Sequence, residues 1–219
     1  MSTATPGGTG TPTGQDTCLN KEKEPAPMMF DLPSLMLPAP QSDRPLFVAV
    51  TGHCALGDDV TIAFVTQAFT ALLLEIKATQ PAGVVALSGL APGADTIFAE
   101  VALTLAIPLE ACIAATNVIE KYAPGPEREQ HFRLRQASRH VHTLPFTERC
   151  GQAYLALGYW LVHSCDLLIA AWHGRPAAKP GGTGDVVAYA RTQGRPVIHI
   201  HTGRRTIAPL ARDTDCHQP

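Results

Sequence analysis

Lys179-Pro-Gly-Gly-Thr-Gly-Asp-Val-Val187 is a glycine loop set between two regular segments. The apolar stretch Asp166-Leu-Leu-Ile-Ala-Ala-Trp172 runs before it, and Val187-Ala-Tyr-Ala-Arg191 follows. The order reads as strand, loop, helix. Three glycines within four residues leave backbone N–H groups uncovered by side chains. A helix that begins at their end adds its own unpaired N–H groups and the positive end of its dipole. Together they make an anion site, and phosphate is the usual anion. Gly181, Gly182, Thr183 and Gly184 are therefore the candidate phosphate cradle, with the Thr183 hydroxyl as a further donor. The expected ligand is a nucleotide or a nucleotide-derived phosphorylated molecule.

The same alternation extends outward through the chain. Pro45-Leu-Phe-Val-Ala-Val50 reads as a strand buried on both faces. Asp58 and Asp59 suit the start of the next helix. Ile62, Val65, Phe69, Leu72, Leu73 and Ile76 fall on one face of it, and Pro81 sets its limit. Gly83–Leu87 is a second strand, leading through Ser88-Gly-Leu-Ala-Pro-Gly-Ala-Asp95 into a helix from about Thr96. Pro108–Ala114, His140–Leu144 and Pro196–His201 complete the set of strands, and 152–164 reads as a helix. The expected fold is α/β, a Rossmann-like doubly wound, mainly parallel sheet of about six strands with helices on both faces. Ligands of such sheets bind beyond the carboxyl ends of the strands, where the strand order reverses. Loops 51–54, 88–95 and 173–185 all sit there and carry glycine, so they are expected to share one crevice.

The folded domain is expected over 45–205. Residues 1–44 are rich in Gly, Pro, Thr and Ser and read as a disordered or loosely attached tail, with one apolar patch, Met28–Leu37, expected to lie against the domain or, as the alternative, to bind a partner. Residues 206–219 read as a C-terminal tail. Of the 219 residues, 45% are hydrophobic and 16% charged, a balance that supports a globular core. The net charge is −2 and no basic face dominates, so nucleic acid is not expected as a partner. No window approaches eighteen apolar residues and no secretory leader is legible, so no membrane association is expected. The six cysteines are widely spaced, which suggests reduced thiols and a cytoplasmic protein.

Four motifs resemble the SLOG superfamily, which joins the DNA-processing Smf/DprA proteins to the cytokinin-activating "lonely guy" phosphoribohydrolases. Val48-Ala-Val-Thr-Gly-His53 resembles the first-strand signature. Leu87-Ser-Gly-Leu-Ala-Pro-Gly-Ala-Asp95 is similar to the Ser-Gly-Leu-Ala-x-Gly-Ala/Ile-Asp motif. Cys165-Asp-Leu-Leu-Ile-Ala-Ala-Trp-His-Gly174 resembles a Cys-Asp-x-Leu-Ile-Ala-x-Trp-Asp-Gly run. Pro180-Gly-Gly-Thr-Gly184 resembles the phosphate loop of the phosphoribohydrolases. The resemblance spans roughly residues 45 to 201 and implies binding of nucleotides, nucleotide-derived signals or single-stranded DNA. It also implies a homodimer, with no interface legible in the sequence. Three departures stand out. Cys54 and His173 replace the Arg and Asp common in relatives. Gly184-Asp-Val-Val187 lacks the glutamates that follow the loop in the phosphoribohydrolases, which argues against hydrolysis while leaving phosphate binding intact.

On this reading Gly52, His53, Ser88, Gly89 and Gly93 join Gly181, Gly182, Thr183, Gly184 and Asp185 in binding the ligand. Asp185 and His53 are the candidate catalytic groups, each with a plainer alternative. Asp185 suits a helix N-terminus whatever its chemistry, and a lone histidine is commonly a structural hydrogen-bonder. Asp95 is expected to cap the helix that follows it, and Glu100 to be solvated or paired. Arg128, Arg133, Arg135 and Arg139 read as a solvated face balanced by Glu127 and Glu129. The pairs His140/His142 and His199/His201 each share a strand face but have no further ligand at metal-binding spacing, so no metal and no cofactor are expected. The alternatives to simple ligand binding are an N-glycoside hydrolase acting on nucleoside 5′-monophosphates and, less favoured, a binder of single-stranded DNA.

Overall fold

The computed structural model of the protein describes residues 37–211. Most of the N-terminal tail, all but the last residue of the Met28–Leu37 patch, and the thiols of Cys18 and Cys216 lie outside those residues.

Short β-branched and apolar runs form the strands, and longer runs with helical periodicity form the helices between them. In order they are β1 (Leu46–Gly52), α1 (Asp59–Thr79), β2 (Val84–Ser88), α2 (Ala94–Thr104), β3 (Leu109–Ile113), α3 (Pro126–Ala137), β4 (His140–Thr143), α4 (Gly151–Ser164), β5 (Leu167–Trp172), α5 (Thr183–Thr192), β6 (Val197–His201) and β7 (Thr206–Leu210). The sheet order is β4-β3-β2-β1-β5-β6-β7. The first six strands are parallel, and β7 pairs antiparallel with β6, placing Ile200 opposite Ile207. Right-handed crossovers to one side of β1 and then to the other put α1–α3 on one face and α4 and α5 on the opposite one. The doubly wound architecture is as expected.

The strand count agrees with the expected figure of about six, and ordered structure runs past both ends of the 45–205 stretch. The sheet has seven strands, and the seventh lies in the stretch read as a C-terminal tail. Pro209 explains both its place and its weak signal. A proline cannot serve a central ladder, so the strand sits at the edge, where only Ile207 and Leu210 pack partly on the core. At the other end the attachment begins before residue 45. Gln80 is buried at the end of α1, where its side-chain oxygen accepts the Gln41 amide at 3.0 Å. Arg44 forks onto Asp166, with Nη1 and Nη2 donating to the two carboxylate oxygens at 2.8 and 2.7 Å.

The core lies on both faces of β1, β2 and β5, where every residue of β2 and β5 is buried. Asp58 caps α1 by accepting the Thr61 amide at 2.8 Å. The buried face of α1 is the expected one at Val65, Phe69, Leu72, Leu73 and Ile76; Phe64 joins it, and Ile62, 38% exposed, turns outward. Phe69 meets Phe98 of α2 edge to face at 5.3 Å, an arrangement worth ~1 kcal/mol beyond the area it buries. Among the described residues, α1 is the one helix long and apolar enough to cross a membrane, and its buried face packs on this core. On the opposite face, Gly158 of α4 leaves room for Val186 of α5, and an added Cβ would run into that side chain.

Candidate functional site

The strand order reverses beside β1, whose neighbours are β2 on one side and β5 on the other. The loops leaving the carboxyl ends of these strands part there and leave a cleft of about 1120 Å³. Gly52 and His53 form its floor, the 173–184 segment one wall, and the start of α4 another.

The glycine loop divides its amides between structure and solvent. The Gly181 N–H donates to the Asp185 carboxylate at 3.1 Å, and the Gly182 N–H donates to the Lys179 carbonyl at 3.2 Å. The amides of Thr183 and Gly184, at the first turn of α5, find no acceptor among the described residues. Gly181 adopts φ 81°, and a Cβ there would lie 2.6 Å from the Gly151 carbonyl oxygen and 2.7 Å from the Leu155 nitrogen. The loop is thus pressed against the first turn of α4, and only glycine permits both the turn and the approach.

That contact brings a second helix N-terminus to the cleft. Cys150 precedes α4 without a side-chain cap, and the amides of Gly151, Gln152 and Ala153 have no acceptor among the described residues. Arg149, Arg175 and Lys179 line the same cleft. Two positive dipole ends and three cationic side chains make it hospitable to anions, although the chain as a whole is slightly acidic.

The residues singled out from the sequence divide into two groups. Gly52, His53, Gly181, Gly182, Thr183 and Gly184 line the cleft. Ser88, Gly89, Gly93 and Asp185 do not; they build the framework behind it. Ser88 is fully buried, donates to the Asp95 carbonyl at 3.0 Å and accepts the Leu90 amide at 3.1 Å. A Cβ on Gly89 would stand 2.9 Å from the Asp95 carboxylate and 2.9 Å from Leu157. Gly93, at φ 80°, lets the second loop lie against the carbonyls of His53 and Cys54. Asp185 turns back into its own loop.

His53 accepts the His173 amide through Nε2 at 3.3 Å, and the two rings meet edge to face at 4.4 Å. Burial, and then His173, hold its pKa below the ordinary histidine value. The ring is therefore neutral near pH 7, with its proton on Nδ1 and its lone pair already engaged. His173 in turn accepts the Arg175 amide at 3.1 Å, which fixes the path of the wall.

Other residues acquire a place that the sequence reading had not given them. Asp95 lies within the first turn of α2, which begins at Ala94, and is not its cap. It is 7% exposed and lines the cleft. Burial pushes its pKa up to about 7, against the opposing pull of the Ala91 and Gly89 amides. Arg149 is placed at the cleft by the β4–α4 connection, which also leaves a carboxyl strand end, and that position is the signal for it in the sequence. Of the basic stretch, Arg133 pairs with Glu100 and Arg139 with Glu110 at 2.7 Å, so both are occupied by carboxylates. His199 lies on the Trp172 ring at 3.9 Å, with its Nε2 3.1 Å from the Trp172 carbonyl. No group of three or more metal-ligating side chains comes together among the described residues.

Strand order, the glycine loops at carboxyl ends and the cleft between them define a Rossmann-like doubly wound domain. Solved structures show the same fold. The chain is similar to DNA processing protein A of Streptococcus pneumoniae, with 19% identity and a TM-score of 0.53 over 71% of this chain and 50% of that one. It spans about half the length of that protein. It is also similar to DNA processing protein A of Helicobacter pylori, described by its single-stranded DNA binding mode, at 19% identity and TM-score 0.48 over 81% and 78% of the two chains. A third is the molybdenum cofactor binding protein of the phototrophic bacterium Rippkaea orientalis, at 16% identity and TM-score 0.49 over 80% and 94%. No family model and no curated protein matches the chain. At these identities the likeness is one of fold. It still corrects one expectation: overall charge is no ground for setting nucleic acid aside, because the fold is shared with DNA processing protein A of Streptococcus pneumoniae.

Proposed function

We propose that the cleft binds a nucleotide or nucleotide-derived ligand, with a phosphate against the first turn of α5. The observation that carries this reading is the pair of unengaged amides at Thr183 and Gly184, in a cleft also lined by Arg149, Arg175 and Lys179. The base and sugar lie toward His53 and the second loop. Asp185 is held by the Gly181 amide, so it is a framework residue, and the domain acts by binding. The unpaired thiols of Cys54 and Cys150, both exposed, suit a reducing compartment such as the cytoplasm.

Gly182→Asp tests the phosphate site. Gly182 is the N-cap of α5, so an aspartate there would cap the helix amides with its own carboxylate and repel an incoming anion. Calorimetry with a panel of nucleoside monophosphates should show binding to the wild type and none to the variant, while the variant stays folded. Equal binding by both, or no binding to the wild type, rejects the site.

A second reading is favoured by the aromatic rings of Tyr122 and Tyr154 in the same cleft. Cationic groups beside half-buried aromatic rings also suit a single-stranded nucleic acid. An oligodeoxythymidylate titration over a range of salt separates the two readings. Polymer binding shows a steep salt dependence, and a mononucleotide a shallow one.

A further inference from the structure

A smaller chamber of about 100 Å³ adjoins the cleft, and Cys54, Pro92 and Tyr122 line both. Its inner wall holds His131 of α3, which is 1% exposed. The His131 Nδ1 lies 3.1 Å from the Leu90 carbonyl oxygen. A carbonyl can only accept, so Nδ1 carries the hydrogen and Nε2 is left with a bare lone pair. That nitrogen is buried and has no partner among the described residues. Burial holds the ring's pKa below the ordinary value, so Nε2 gains no proton of its own near pH 7. An acceptor left in this condition is unfavourable until a donor reaches it.

Leu90, which fixes the ring, is itself held at φ 52°, in the left-handed region. For a leucine that conformation is unfavourable, because its Cβ crowds the backbone. The Ser88 hydroxyl, which accepts the Leu90 amide, and the His131 ring together maintain it. Two unfavourable features therefore meet at one small chamber. Such concentration is common at ligand sites.

None of the other polar groups lining the chamber, the Tyr122 hydroxyl and the Cys54 thiol included, bonds Nε2. The Thr96 hydroxyl donates to the Gly93 carbonyl at 3.0 Å, the Gln130 amide nitrogen to Glu100 at 3.1 Å, and Glu127 offers a carboxylate. An anion is disfavoured there, whereas a neutral N–H donor is complementary. The Tyr122 ring, its centroid 5.2 Å from that of His131, supplies a flat apolar side.

We propose that this chamber reads the amino-bearing edge of a nucleobase, with His131 Nε2 accepting from the exocyclic N–H. The inference rests on the nucleotide reading above and deepens it, dividing the ligand between an anion-seeking cleft and a donor-seeking chamber. The volume corresponds to roughly three waters at ~30 Å³ each, enough for the edge of a base and too little for a whole nucleotide.

Adenosine and inosine monophosphate differ at the 6-position by amino against oxo, and are the matched probes. Calorimetry on the full chain should give at least about tenfold tighter binding of the amino compound. His131→Leu should bring the two within about twofold by weakening that compound alone. His131→Gln, which keeps an acceptor, should retain part of the preference. Equal affinities in the wild type, or a preference that survives in His131→Leu, overturn the proposal while leaving the phosphate site standing. Should the leucine variant fail to fold, the ¹⁵N resonance of His131 Nε2 in the wild type decides. It should move on adding the adenine nucleotide and stay with the hypoxanthine one; no movement with either means that water fills the chamber. If neither nucleotide binds, the phosphate reading fails, and free adenine against hypoxanthine, followed by the same resonance, judges the chamber alone.

Discussion

The Asp185 carboxylate accepts the backbone amide of Gly181 at 3.1 Å, closing the glycine loop with the protein's own anion. The loop is thereby closed on itself, and the next two amides, those of Thr183 and Gly184, are left without an acceptor among the described residues.

Removing that carboxylate separates structure from function. Asp185→Ala should lower stability by about 1 kcal/mol, as expected for one charge-assisted bond at a partly exposed site. Phosphate-ligand affinity should be kept or raised, since the competing internal anion is gone. Urea denaturation and calorimetry measure the two effects. Lost affinity at unchanged stability would assign Asp185 to the ligand.

Gly52 is needed for space. A Cβ there would collide with Ala94 and lie 2.7 Å from the Ala171 carbonyl oxygen, where β1, β5 and α2 converge. Gly52→Ala should cost about 1–3 kcal/mol through overpacking. Gly203→Ala, whose nearest neighbour would be His201 at an ordinary 3.5 Å, is the control and should change stability by less than ~1 kcal/mol. Similar melting shifts for the two would contradict the close approach.

Asp95 should give the protein a pH dependence of unusual sign. Its folded pKa, near 7, stands above the unfolded carboxylate value of about 3.9. Between those values the folded state holds the extra proton, so this group makes stability fall as pH rises from about 4 to 7 and level off above. The loss approaches ~1.4 kcal/mol for each unit of difference. Asp95→Asn should flatten this segment of the stability–pH curve. An unchanged slope would show that the carboxyl titrates normally.

Arg44 and Asp166 tie the chain before β1 to the start of β5. Burial raises the Asp166 pKa, but the Arg44 guanidinium and the Phe47 amide outweigh it and leave the value below normal. Arg44→Ala should cost about 0.5–1 kcal/mol, since the arginine is half exposed. The difference should be present above pH ~4 and vanish as pH falls through the depressed value. A chain beginning at Pro45 loses the same pair together with the Gln41–Gln80 bond, and should melt lower than one beginning at Leu37.

By itself the sequence determined the alternation of strands and helices, the doubly wound sheet and the glycine loop at the end of β5. These follow from local periodicity and from residues whose backbone preferences act over a few positions. What only the tertiary structure decided is which groups face the cleft. Ser88, Gly89 and Gly93 carry the most specific motif, yet they serve to hold one loop against another, because their contacts with Asp95, Leu157 and Cys54 are made across the fold. Arg149 and the start of α4 enter the cleft because Gly181 lets two loops meet at van der Waals distance. His131 lies 41 residues from the carbonyl that fixes its tautomer, a separation no spacing rule spans. Periodicity encodes which face of an element is apolar. Which amide keeps its hydrogen free is settled only when the elements pack and every other donor has found its acceptor.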